Sequence, residues 1–238
     1  MIKRNNFKMR ILLLILWSLA NLSCSQKIEN QPAVTQTIPQ QEFEPTVYQL
    51  IDFFFNKKDF EGINQYIHKD IGFFIINSQG VSPRITRIEH FNKNLGNTEE
   101  QLRHQHCLTS DLLRDSITGN PKIQYEAYPT FEQGCEKPSK LGLFANPKEK
   151  NVAILQEAID FIKREEEIYQ FSKHPMRDIY QSIADNIAHK TVKIIYTGNY
   201  TNEPPYSMYK KVFIFYLTQL DNKWYLTILD FYTMDCSA

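Results

Sequence analysis

Glycine is scarce in this chain. There are eight in 238 residues, and no two lie closer than eight positions apart. GxGxxG dinucleotide loops, GxxxxGK[ST] phosphate loops and the GxSxG nucleophile elbow all need closer glycines, so all three are excluded. No HExxH and no CxxC occurs, which removes the commonest zinc and dithiol signatures. A surplus of either charge is also lacking, with 27 basic and 27 acidic residues. That balance is uneven along the chain. Lys3, Arg4, Lys8 and Arg10 lie in the first 24 residues, which contain no acid, so 23 basic residues face 27 acidic ones from Cys24 onward, a balance of −4. Clustered Lys and Arg, the footprint of a nucleic-acid partner, are missing. So is a polybasic membrane patch. No sequence feature calls for a cofactor.

Long apolar runs are missing too, apart from Ile11–Trp17 and its extension through Leu19, Ala20 and Leu22. A basic segment followed by so short an apolar run has the pattern of an export signal, and is too short to span a bilayer. Ser18-Leu19-Ala20 offers small residues for ordinary cleavage. Leu22-Ser23-Cys24 resembles the bacterial lipobox, with Asn21 standing where that pattern has an aliphatic residue. The resemblance implies a signal peptide over 1–23 and lipidation of Cys24. Multiple acyl chains suffice for stable attachment to a membrane. Residues 24–43, rich in Gln, Thr and Pro, read as a flexible spacer between that anchor and a single globular domain over 44–238. The chain is therefore expected in the bacterial cell envelope, periplasmic or surface-facing, with the membrane as its partner through the N-terminal lipid.

The clearest structural signal is the last stretch. Two apolar, β-branched and aromatic runs flank Asp221-Asn222, the pattern of a hairpin. With those two residues as the loop, Leu220 pairs with Lys223. Phe213, Phe215, Leu217 and Gln219 then share a face with Trp224, Leu226, Ile228 and Asp230. Val212, Ile214, Tyr216, Leu220, Tyr225, Leu229 and Phe231 occupy the other. Both faces are largely apolar, so each needs a cover.

The rest of the domain supplies candidates. Pro45 opens a helix whose Val47, Leu50, Ile51 and Phe54 fall at helical spacing. Asp59 caps a short second helix. Ile71–Ile76 reads as a buried strand, 81–91 as a short helix or a loop, and Glu99–Leu113 as helical. Ile123–Phe131 is strand-like, and Leu141–Phe144 reads as a short edge strand. Asn151–Phe171 and the segment after Pro175 carry apolar stripes of two helices, the run Lys163–Glu167 being the solvated face of the first. Thr191–Thr197 is a β-branched strand. Helices first and locally joined strands last argue for α+β with an antiparallel sheet.

Leu50–Phe54 with Tyr66–Phe73, and Asn222–Thr227 through Asp235-Cys236, resemble the opening and closing segments of uncharacterised secreted lipoproteins of Gram-negative bacteria. The arrangement is also similar to the NTF2-like cone, which implies N-terminal helices on a curved antiparallel sheet ending in a long C-terminal hairpin, here with a helical insertion. The resemblance brings no catalytic residues with it.

Three places could carry chemistry. Asp230, placed by the hairpin register among Phe213, Phe215, Trp224, Leu226 and Ile228, is either a strand-end carboxylate or a desolvated general base or ligand anchor. Tyr66, His68 and Asp70 alternate before a strand, either as turn residues or as a hydrogen-bonded His–Asp general base. His104 and His106 would share a face only on a strand and diverge on the expected helix, so no metal site is assigned. Two functions follow. One is a non-enzymatic envelope lipoprotein whose domain binds a small ligand or a partner protein. The other is an enzyme with an NTF2-like pocket using a carboxylate or His for general acid/base chemistry.

With Cys24 lipidated, Cys107, Cys135 and Cys236 remain and allow three pairings, of which Cys107–Cys135 is the most local. If that bond forms, Cys107 and Cys135 take up an alkylating agent only after reduction, as read by peptide mass. Alkylation of both without reduction rules it out.

Overall fold

The computed structural model describes residues 40–57, 59–79, 82–90, 121–130, 138–198 and 212–233. The four cysteines, His104, His106, the signal segment, spacer residues 24–39 and the expected helix over 99–113 lie outside them.

The fold is mixed α+β, built on an open seven-stranded sheet with helices on both faces. In chain order the elements are α1 (Gln40–Ile51), continued by a π-helical turn over Asp52–Lys57, and α2 (Phe60–Ile63) with a 3₁₀ turn over Asn64–Tyr66. Strands β1 (Phe73–Gln79), β2 (Ser82–Ile88), β3 (Ile123–Gln124) and β4 (Gly142–Lys150) follow. Helices α3 (Ala153–Tyr169) and α4 (Arg177–Ile187) then precede β5 (Thr191–Thr197), β6 (Val212–Leu220) and β7 (Lys223–Asp230).

The strand order is β2-β1-β7-β6-β5-β4-β3. The expected wholly antiparallel sheet is not what forms: β1 runs parallel to β7, and β3 parallel to β4. Local sequence favours antiparallel neighbours, but these two pairs join segments distant in the chain, where no tight turn dictates direction. Residues 82–88 are a strand paired along its length with β1, not a helix or loop. β4 is a nine-residue interior strand, and the edge belongs to β3, only two residues long. Helix α1 begins at Gln40, within the segment read as spacer, with Pro45 inside it. Pro45 forgoes one backbone hydrogen bond there. The turn before it is held by Phe43, 1% exposed, whose ring meets Trp224 edge-on at 4.9 Å.

Each sheet face has its own apolar core. Phe43, Val47, Leu50 and Phe54 of the early helices pack on Phe73, Ile75, Phe213, Phe215, Trp224 and Leu229. Leu155, Ala158 and Ile159 of α3, with Tyr180, Ala184 and Ile187 of α4, cover Phe74, Ile76, Ile195, Ile214, Tyr216 and Ile228. Burying each large apolar side chain contributes about 1.5–3 kcal/mol. The Lys163–Glu167 run is more than a solvated face. Glu165 reaches Arg84 of β2 at 3.2 Å, and Glu166 pairs with Arg177, tying the two helices together.

The terminal hairpin turns at Asp221 and Asn222, with φ of +48° and +62°. Two consecutive positive values are what a tight two-residue loop between twisted strands requires. Pairing proceeds as Leu220–Lys223, Gln219–Trp224, Thr218–Tyr225 and Leu217–Leu226, then shifts: Tyr216 faces Ile228, Phe215 faces Leu229 and Ile214 faces Asp230. Thr227 is the extra residue of a one-residue bulge. Its hydroxyl lies 2.8 Å from that of Thr218, which lies 2.7 Å from that of Thr191, which donates to the Ile187 carbonyl at 2.7 Å. All three threonines are fully buried. Each hydroxyl has one proton. Because Thr191 gives its proton to Ile187, Thr218 donates to Thr191, and the single proton of Thr227 is shared between the Thr218 hydroxyl at 2.8 Å and the Tyr216 carbonyl at 3.3 Å. The chain therefore has one direction and ends on the carbonyl at the close of α4.

Thr218→Val breaks the middle link, leaves the buried Thr191 oxygen without its donor and leaves Thr227 only the longer bond to the Tyr216 carbonyl. A loss of about 1–3 kcal/mol is expected in urea unfolding, with Thr218→Ser well below it; equal losses would mean that the methyl group, not the hydroxyl, matters.

Candidate functional site

The bulge moves Asp230 to the other face. Its neighbours are Ile214 across β6 and Ile76 across β1, both packed under α3 and α4. It does not lie among Phe213, Phe215, Trp224 and Leu226, which belong to the opposite core. The expected face assumed an unbroken alternation, and one inserted residue reverses every side chain beyond it. Asp230 is at the strand end and yet only 1% exposed. Oδ1 accepts the Thr233 backbone N–H at 2.9 Å and Oδ2 accepts the Thr233 hydroxyl at 2.7 Å. The carboxylate thus organises the turn leaving β7, where the backbone N–H groups of Phe231 and Tyr232 both donate to the Ile76 carbonyl.

On this face the central strands form rungs of side chains. The three threonines make one. Lys193, Tyr216, Ile228 and Phe74 make the next, and Ile195, Ile214, Asp230 and Ile76 the one after. Apart from the threonine rung, Lys193, Tyr216 and Asp230 are the polar interruptions in an apolar layer. Lys193 is half-buried in the middle of β5, and its ammonium lies 5.0 Å from the centroid of the Tyr128 ring, within cation–π range. Among the described residues it makes no ion pair or hydrogen bond, and the Tyr216 hydroxyl likewise has no hydrogen-bond partner.

Tyr128 is placed by a flaw in the sheet. The β4–β5 register breaks between Ala145 and Lys150. The Tyr128 hydroxyl fills the gap, donating to the Lys193 carbonyl at 2.8 Å and accepting the Asn146 N–H at 3.1 Å. It thereby replaces strand hydrogen bonds that the bulge removes.

Burial dominates the electrostatics. It raises the Asp230 carboxyl above its ordinary value, against the lowering effect of the two Thr233 bonds and of the Lys193 charge. It lowers the Lys193 ammonium, against the raising effect of Asp230 and Glu149. It pushes the Tyr128 phenol up to about 12, and raises that of Tyr216, where Asp230 adds to the effect.

The other expected residues lie elsewhere. His68 sits in the turn before β1, its ring edge-on to Tyr225 at 5.0 Å. Tyr225 is five residues from Asp230, roughly 15 Å along the strand. The contact joining His68 to Asp70 runs from the Asp70 backbone N–H to the His68 Nδ1 at 3.3 Å, not from the carboxylate. The Asp70 carbonyl accepts from Arg87 at 3.0 Å, and the Tyr66 hydroxyl bonds to Gln49. Cys24, Cys107 and Cys135 lie outside the described residues. Among the described residues, no group of three or more His, Cys, Asp or Glu could hold a metal ion, and no helix is long and apolar enough to cross a membrane.

Lys193, Tyr216 and Tyr128 went unnoticed in the sequence. One signal was there. In Thr191–Thr197 a lysine stands between Val192 and Ile194, in a strand that needs cover on both sides.

The charged groups have opposite consequences for stability. A carboxyl raised in the fold is protonated more fully in the native than in the unfolded state, so stability falls as pH rises from about 4 through the raised value. A lysine lowered in the fold gives the reverse: stability rises as pH climbs from the lowered value to about 10. Asp230→Asn keeps an acceptor for Thr233 and loses the charge. Its stability relative to wild type, read from urea midpoints, should improve between about pH 4 and 7; a difference independent of pH would show that the carboxyl is not raised. Lys193→Met should gain about 1 kcal/mol near neutral pH, shrinking toward pH 10.

Comparison of the chain with protein-family models, with curated proteins and with solved structures finds no match.

Proposed function

We propose that this chain is an exported lipoprotein of the bacterial cell envelope, anchored through Cys24, whose domain binds a small ligand without chemical conversion. The observation that carries the binding role is the Lys193–Tyr216 rung: a half-buried ammonium and a buried phenol, neighbours on adjacent strands, neither with a hydrogen-bond partner among the described residues. A few polar groups in an apolar setting are the usual make-up of a ligand site. General acid/base catalysis draws less support. Both Asp230 oxygens are engaged by Thr233, and His68 and Asp70 meet through backbone rather than through a carboxylate. The anchor rests on the basic N-terminus, the short apolar run and Cys24.

An NTF2-like cone belongs to the same proposal. Early helices against one face of a sheet that closes in a long hairpin support it, with the α3–α4 pair as the insertion.

Two measurements test this. Metabolic labelling with palmitate should mark the wild-type chain and vanish in Cys24→Ala; label that persists, or is absent from wild type, removes the anchor. Native mass spectrometry of the full chain, extracted from membranes in mild detergent, should show a low-mass adduct released on denaturation. A bare chain mass before and after denaturation removes the binding role.

A further inference from the structure

Among the described residues, six large apolar side chains stand exposed, and four of them lie at the turn between α3 and α4. Ile168 (70% exposed), Tyr169 (62%) and Phe171 (64%) close α3, and Ile179 (46%) lies in the first turn of α4. We propose that this turn is a second membrane contact, an apolar tip that enters the interfacial layer of the bilayer to which Cys24 anchors the chain. This rests on the anchor reading above and adds a surface of the domain to it.

The tip is held in shape. Glu166 of α3 pairs with the Arg177 guanidinium and accepts the His174 backbone N–H, and Lys173 pairs with Asp178. Gln170 ends α3 at a φ of +52°, a left-handed value that costs free energy for a residue with a Cβ. On either side of it, Tyr169 and Phe171 stack with ring centroids 5.5 Å apart. Rings fixed in water forgo the gain that burial brings. Exposed apolar residues that stand singly, such as Tyr125 and Leu141, are ordinary; a group of them marks a contact surface.

Charge and size select what covers it. From Ile168 to Met176 the sequence holds no acid, and Lys173 and His174 are its basic residues. Over Lys163–Asp178, Lys163, Arg164, Lys173 and Arg177 balance Glu165, Glu166, Glu167 and Asp178. A strongly charged partner finds no net charge to meet. Two rings and two isoleucines, 46–70% exposed, offer on the order of 400 Å². That is about half of the roughly 800 Å² per partner in a stable protein complex. A bilayer is fluid and demands neither matching shape nor opposite charge. Tyrosine suits its interface, with the ring in the apolar layer and the hydroxyl in water, and a few inserted apolar side chains add to a lipid anchor. Reach agrees as well. α3 starts beside β5, where the Asn151 N–H donates to the Thr191 carbonyl at 3.2 Å, and its 17 residues run about 25 Å to the tip. The 16 residues from Cys24 to Gln40 span up to about 55 Å, so Cys24 and the tip can engage one bilayer.

The test is photolabelling of the full chain in phosphatidylcholine vesicles that contain a lipid with a diazirine in its acyl chain, followed by trypsin and peptide mass. The peptide Glu165–Lys173 should carry at least about fivefold more label than the peptides holding Tyr125 and Leu141. Raising the salt from about 0.1 to about 1 M should leave that label unchanged, because screening weakens charge contacts and not apolar ones. Tyr169→Ser combined with Phe171→Ser should bring it down to the level of the other two peptides. The urea midpoint should not move, because both rings are exposed. Equal label in the three peptides, label lost at high salt, or cross-links from the tip to protein instead of lipid overturns the proposal. Failure of the anchor reads differently. Palmitate on Cys24 with an unlabelled tip keeps the anchor and removes the tip contact; a labelled tip without palmitate removes the anchor and keeps the tip contact.

Discussion

Everything distinctive about this domain depends on one inserted residue, Thr227. The bulge it creates lets Trp224 and Leu226 point to the α1 side of the sheet and Ile228 and Asp230 to the α3–α4 side. Without the bulge, a carboxylate would enter the core formed by Phe213, Phe215 and the early helices. With it, Asp230 meets Thr233, and β7 meets β1 in the parallel register Phe74–Ile228, Ile75–Leu229, Ile76–Asp230. The hydroxyl chain from Thr227 to Ile187 holds the bulge in place. It spans three strands and the end of a helix, so the register of the hairpin and the seating of α4 depend on each other. Fully satisfied polar networks of this kind specify one arrangement because each broken link leaves a buried group unpaired.

The second constraint is that the central strands are covered on both faces. A polar residue placed there has little water to turn to, so burial weighs on each and most are satisfied by neighbours. The threonines and Tyr128 are satisfied by neighbours. Asp230 is satisfied and its carboxyl is raised. Lys193 and Tyr216 have no such arrangement, and this difference, rather than any single motif, is the reason for locating function at their rung.

Much of the fold was legible. The strand over Thr191–Thr197, the hairpin with its turn at Asp221-Asn222, the two amphipathic helices after Asn151 and the Asp59 cap all express local physics: side-chain period, turn chemistry and capping. The covers of the two sheet faces were legible as well, because apolar stripes must be buried somewhere. The direction of β1 against β7 was not, since it joins segments some 150 residues apart with no turn to dictate it. β2 was obscured by Pro83 and by an Ile85–Ile88 spacing that suits a helix, and was settled by pairing with β1 along its length. The candidate site was legible only in part. Asp230 stood out as a carboxylate among apolar residues, but its face came out reversed. Lys193 looked like an ordinary lysine until both faces of its strand were covered.

The amino-acid sequence by itself determined the helices after Asn151, the strand over Thr191–Thr197 and the pairing of the last two strands through a two-residue turn. These depend on interactions between residues close in the chain. Only the tertiary structure decided the strand order, the two parallel pairings, the side of the sheet that Asp230 faces, and the placing of Lys193 opposite Tyr216 on that side. Those depend on contacts among β1, β5, β6, β7 and the segment around Tyr128. A hydroxyl 2.8 Å from another in a neighbouring strand can shift a register that local alternation leaves undisturbed.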